Sequence, residues 1–131
     1  MVVSYFIIRV ALGLNIFLHG AVRFRQGRHA FAEALCREFS DTSLPQPWVR
    51  QIGMMLPVVE WLLGILLLLG LFTNLAIVAG SLVMLLLLAG KSIRQDWQTV
   101  GFQMIYIAYY AVLGFLQPYN SLALDSFFWN Q

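Results

Sequence analysis

The chain is short of almost everything that soluble chemistry is built from. It has one cysteine, Cys36, in 131 residues, which excludes an internal disulfide, a Cys-x-x-Cys redox pair and a multi-cysteine zinc or iron–sulfur site. Charge is scarce: 11% of residues are Asp, Glu, Lys or Arg, against about 25% in an ordinary soluble domain. A formal net charge of +2, with no continuous basic run, excludes a nucleic-acid footprint. The two histidines, His19 and His29, would lie about 15 Å apart even on one continuous helix, so they cannot share a metal ion. No metal site is expected. Hydroxyl groups such as Ser81 have no base close in sequence, and no hydrolase triad is visible.

What is present is apolar. Hydrophobic residues make up 60% of the chain and the mean hydropathy is +0.77. A helix needs roughly 20 largely apolar residues to cross the hydrocarbon layer. Four windows approach or meet that length, at about 2–22, 51–72, 75–90 and 100–116. They predict an all-α protein, an integral membrane antiparallel four-helix bundle forming a single membrane domain over 1–131. No basic residue precedes the first window and Arg9 interrupts it, so it reads as a mature helix and not as a signal peptide.

Only Thr73 and Asn74 with their neighbours separate the second and third windows, enough for a tight turn. The segment 23–50 is far longer than a helix–helix turn requires. Within it Phe31, Leu35 and Phe39 recur every four residues beside Ala34, with Glu33 and Arg37 off the stripe. That spacing predicts an amphipathic interfacial helix, either resting on the headgroups or serving as a lid or docking surface. Pro45 and Pro47 terminate it, and Trp48, Trp97 and Trp129 read as interfacial anchors.

Arg23, Arg25, Arg28, Arg37, Arg50, Lys91 and Arg94 all fall in the first and third connections, whereas the opposite side carries no Lys or Arg. The positive-inside rule then places these connections in the cytoplasm and both termini on the periplasmic side of a bacterial inner membrane.

Two ionisable residues lie inside the apolar windows, Arg9 and Glu60. Each is costly in lipid and each should face the bundle interior. Gly13 and Gly20 share the face of Arg9, and Gly53, Pro57 and Gly64 that of Glu60, so the two faces can approach closely. A direct Arg9–Glu60 pair is one expectation. Tyrosine hydroxyls or water are the alternatives, because side chains lean toward their own helix N-terminus and carry these two groups apart. His19, four residues after Asn15, could satisfy an interhelical hydrogen bond or hold a quinone carbonyl. Gln103, Tyr106 and Tyr110 form a polar aromatic stripe on the last window, suited to a flat, partly polar ligand or to bundle packing.

Several local features occur in a familiar order. Arg9 precedes Leu12-Gly13, then His19-Gly20-Ala21-Val22-Arg23-Phe24, then Val59-Glu60, Gly64 and Leu69-Gly70-Leu71-Phe72-Thr73, and finally Pro118-Tyr119-Asn120-Ser121-Leu122-Ala123-Leu124-Asp125. This resembles the DoxX family of small four-helix membrane proteins, with Arg23 where a lysine is usual and Ala123-Leu124 inserted before the terminal Asp. The resemblance implies a small accessory subunit of a respiratory or redox-associated, quinone-linked membrane complex. The alternatives are a quinone-reducing oxidoreductase subunit of the thiosulfate:quinone type and a small-molecule or lipid carrier. The expected partners are the bilayer and other membrane-complex subunits, with no intrinsic cofactor and a quinone as the ligand. Arg9, His19, Glu60, Gln103, Tyr106 and Tyr110 are the candidate binding residues.

Overall fold

The computed structural model describes residues 1–129, with the Trp129 side chain outside the described atoms; the anchor reading of that residue is therefore untouched. Four long helices carry the fold: α1 (Val2–Gln26), α3 (Gln46–Leu69), α4 (Thr73–Ile93) and α5 (Trp97–Phe115). A shorter helix, α2 (Arg28–Glu38), sits between the first two, and a brief α6 (Leu124–Trp129) follows a 3-10 turn at Gln117–Tyr119. Among the described residues there is no strand. The helices α1, α3 and α4 are long and apolar enough to cross a membrane. The fourth expected span, α5, exists as a 19-residue helix, but Trp97, Gln98, Thr99 and Gln103 dilute its apolar character.

The helix ends differ from the sequence windows for local reasons. Gly27, at φ 96°, breaks the chain between α1 and α2, so α1 runs on through Arg23 and Arg25. Pro47 in the first turn of α3 costs no hydrogen bond there, and α3 therefore begins before the apolar run does. Its C-terminus is closed by Gly70 in the left-handed region. Asp96 caps α5 by accepting from the Thr99 backbone N–H at 3.2 Å.

The four helices associate as two pairs. In the first, α1 lies along α3 at glycine-spaced close approaches. A Cβ on Gly20 would sit 2.6 Å from the Trp61 backbone nitrogen, and one on Gly64 2.5 Å from the Phe17 Cα. Between membrane helices, small residues of this kind admit backbone-to-backbone packing. In the second pair α5 lies along α4 after the short Arg94–Asp96 connection. The two pairs meet more sparsely, through α3 with α4 and α1 with α5. Tyr5, Leu12, Ile16, Leu63, Leu67, Ala76, Ile77, Tyr110 and Leu113 form the buried core.

The helix α2 folds back on α3. Its Ala32 is buried against Gly53, whose missing side chain leaves that space. Phe39 is buried too, its ring lying 3.3 Å from where a Cβ on Gly90 of α4 would sit. Two long-range ion pairs hold this end of the molecule to the α4–α5 connection, Glu38 with Lys91 at 2.6 Å and Asp41 with Arg94. Trp48 and Trp97 are largely exposed at the same end.

Candidate functional site

Arg9 and Glu60 do not pair with one another. The register of α1 on α3 keeps them apart: Gly13 meets Leu67 and Gly20 meets Trp61, so Arg9 lies beside the end of α3 while Glu60 lies beside the last turns of α1, which supply Arg23. The Glu60 carboxylate, 2% exposed, accepts from the Arg23 guanidinium, 23% exposed, through both carboxylate oxygens. Arg23 also lies over the Phe31 ring of α2, 4.7 Å from its centroid.

Arg9 instead holds the opposite end of the molecule together. It donates to the Leu67 carbonyl at 2.7 Å and to the Leu122 carbonyl at 2.6 Å. The first of these lies at the C-terminal end of α3, where a cation complements the helix dipole. The closing segment has the converse partner. The Asp125 carboxylate accepts from the backbone N–H groups of Phe72 and Thr73, each at 2.7 Å, at the start of α4, where a negative charge complements the helix dipole. Asn120 adds a hydrogen bond to the Thr73 hydroxyl at 3.1 Å. Arg9 and Asp125 thus fasten the C-terminal segment to the α3–α4 turn with opposite charges on opposite helix ends. Arg9 stands apart from the other candidate binding residues.

Those others converge. A cavity of about 380 Å³ lies between the two helix pairs, with His19 from α1, Glu60 from α3, and Gln103, Tyr106 and Tyr110 from α5 on its wall. Leu12, Ile16, Leu56 and Met84 supply apolar lining, and Phe31 and Leu35 of α2 close the end nearest the basic connections. The Gln103 carbonyl oxygen and the Tyr110 hydroxyl are buried with no hydrogen-bond partner among the described residues. Leaving such groups unsatisfied costs about 1–3 kcal/mol each, so both are poised to accept a guest that supplies the missing bonds. The Tyr110 ring reaches this position across Gly80 of α4, where any side chain would strike the phenol.

Two contributors escaped the sequence reading. Arg23 looks like one more loop cation when charges are counted, yet Asn15, His19 and Arg23 are spaced i, i+4, i+8 and form one polar face of α1. Extending that helix past Val22 would have found it. Gly80 carries no signal of its own, because its function is to leave room for a side chain 30 residues distant in the chain.

Long apolar helices, close glycine packing and a polar interior define this as a small multi-pass helical membrane protein. The family model described as "Methylamine utilisation protein MauE" matches residues 1–95, and the chain belongs to the MauE family. This corrects the resemblance to DoxX: MauE is a different membrane family. The features that suggested DoxX are an intramembrane arginine, an intramembrane glutamate and short glycine-rich apolar segments. Membrane bundles of different families can share such features, since small residues serve close helix packing and buried ionisable groups turn to the bundle interior. No curated protein matches the chain, and no solved structure does. The matched stretch holds α1 to α4 and the Arg23–Glu60 pair, and it stops before the α5 wall of the cavity.

Proposed function

We propose that this chain is an accessory protein of the bacterial inner membrane, serving the redox-linked process for which its family is described, methylamine utilisation, and that its central cavity receives a quinone-like head group. The observation that carries the reading is the pair of unsatisfied groups, Gln103 and Tyr110, on a largely apolar cavity beside a buried ion pair. A flat ring bearing carbonyl or hydroxyl oxygens presents both acceptors and donors, and the amide and phenol can serve either. The apolar walls take up its faces. His19 and Tyr106 stand within the same wall as further polar contacts.

In this reading the protein holds or presents its ligand within a larger membrane assembly and brings no redox group of its own. It crosses the membrane four times as an antiparallel bundle, α5 being the fourth span. The Arg- and Lys-bearing connections face the cytoplasm, and the termini face the periplasm. A 19-residue helix covers about 28 Å, close to the hydrocarbon thickness.

The test is thermal unfolding of the detergent-solubilised protein against increasing decyl-tailed benzoquinone. A ligand specific to the folded state stabilises by about 2.7 kcal/mol at a hundredfold excess over its Kd. We expect a saturable rise in melting temperature that Gln103→Leu and Tyr110→Phe each reduce. A rise that is unsaturable, or that both variants retain in full, contradicts the proposal.

A further inference from the structure

The central cavity does not end at the bundle interior. A second cavity of about 320 Å³ lies along the α1–α5 seam, walled by Ile7, Ile8, Ala11 and Tyr109, and it shares Leu12, Asn15 and Tyr106 with the central one. Of the two seams between the helix pairs, α3–α4 and α1–α5, this is the sparser. Ile7, Ala11 and Tyr109 are exposed on the outer surface of the bundle. The central cavity therefore abuts, through three side chains, an apolar groove that faces the surroundings of the helices. At its other end the central cavity is lined by Phe31, Leu35 and Glu38 of α2, which Glu38–Lys91 and Asp41–Arg94 tie down.

We propose that the α1–α5 groove is the tail-binding half and the lateral doorway of the ligand site, so that the ligand is a single-tailed amphipathic lipid arriving from the bilayer. This rests on the head-group reading above. The division of chemistry along the path matches such a molecule. The central cavity offers the buried Gln103 and Tyr110, while the groove beyond Asn15 and Tyr106 offers aliphatic side chains and the Tyr109 ring. From Asn15 back to Ile7 the groove follows eight residues of α1, about 12 Å of helix, comparable with an extended decyl chain. Asn15 and Tyr106, both half-buried, stand at the junction, where a head group would pass between two hydrogen-bonding side chains. A soluble substrate has no need of a groove that opens along the flank of the bundle. A tailed one must place its chain somewhere once its head is inside.

The experiment compares two probes, decyl-tailed benzoquinone and the same ring without the tail, on the wild type and on Ala11→Trp, which fills the groove from an exposed position. Affinities are taken as the ratio of variant to wild type for each probe, so that partitioning into detergent cancels. Overpacking of this kind amounts to about tenfold or more in binding. The expected result is a tenfold or greater loss for the tailed probe with less than a twofold change for the bare ring. Ile7→Trp, at the far end of the same groove, serves as a second obstruction in case Ala11→Trp fails to fold. An equal effect on both probes, or no effect on the tailed one, overturns the doorway while leaving the head site standing. Failure of both probes to bind the wild type overturns the head site and the doorway together.

Discussion

Removing Arg23 tests the polar centre most sharply, because it strands its partner. With Arg23→Met, the Glu60 carboxylate, 2% exposed, must stay charged in apolar surroundings or take up a proton. Stripping one member from a buried pair costs about 3–5 kcal/mol. Glu60→Gln acts on the other partner, and Arg23 is 23% exposed and already lies over the Phe31 ring. It can turn outward, and the loss is the net worth of a charge-assisted bond, about 1.5–3 kcal/mol. The double variant Arg23→Met with Glu60→Met replaces charge by apolar bulk and is expected to regain about 1–4 kcal/mol over Arg23→Met alone. The assay is SDS-induced unfolding in mixed micelles followed by helicity, with the coupling read from the double-mutant cycle. Arg9→Met, cycled with Glu60→Met, should show no such coupling, since Arg9 binds Leu67 and Leu122 carbonyls at the other end. The reasoning fails if Arg23→Met lies within about 0.5 kcal/mol of the wild type. It also fails if Arg9 rather than Arg23 couples to Glu60.

Further outcomes follow from the packing and the helix ends. Gly64→Ala, placing a Cβ 2.5 Å from the Phe17 Cα, should destabilise by about 3 kcal/mol or more. Gly101→Ala, with nothing within 4 Å, should be neutral or stabilise by up to about 1 kcal/mol in the same unfolding assay. Asp125→Ala removes the carboxylate that accepts from the Phe72 and Thr73 backbone N–H groups. It should cost about 1–2 kcal/mol and make the closing segment more sensitive to limited proteolysis. At the opposite end, Arg94 holds the Asp41 carboxyl below its ordinary value. A carboxyl depressed in the folded state stabilises above its unfolded pKa, and this support is lost as the pH falls through the folded value. Amide protection in 39–45, taken relative to the intrinsic exchange rate at each pH, should therefore fall on acidification, and Asp41→Asn should abolish that response. An alkaline phosphatase fused to the C-terminus should be active if the basic connections are cytoplasmic, and an inactive fusion reverses the orientation.

Much of this molecule was legible because lipid imposes simple rules. Apolar length located the long helices, and the Phe31, Leu35, Phe39 stripe located α2. The boundaries moved where turn chemistry outweighed hydropathy: Gly27 let α1 continue past Val22, and Pro47 let α3 start ahead of its apolar run. Five of the six candidate residues line one cavity, since polar groups inside an apolar bundle have few places to go. Arg9 separated from them because backbone carbonyls at a helix end are as good a counterpart as a carboxylate, and no residue pattern announces a carbonyl. Arg23 and not Arg9 partners Glu60 because of the register of α1 on α3, in which Gly20 meets Trp61; on that register Arg9 stands about 11 residues, roughly 16 Å, from the level of Glu60, and apolar windows do not fix such a register. Gly80 and the α1–α5 groove belong to the packing of the two pairs and leave no trace in local sequence.

The claim on which the account depends is that the space beside Gln103 and Tyr110 holds a ligand in the membrane. Native mass spectrometry of the protein released from its own membrane reads this directly. The account predicts a retained adduct with the mass of one quinone-class lipid per chain, lost in Gln103→Leu while the fold survives. A chain carrying only the phospholipids of the surrounding bilayer, in the same proportions with and without Gln103, would contradict it.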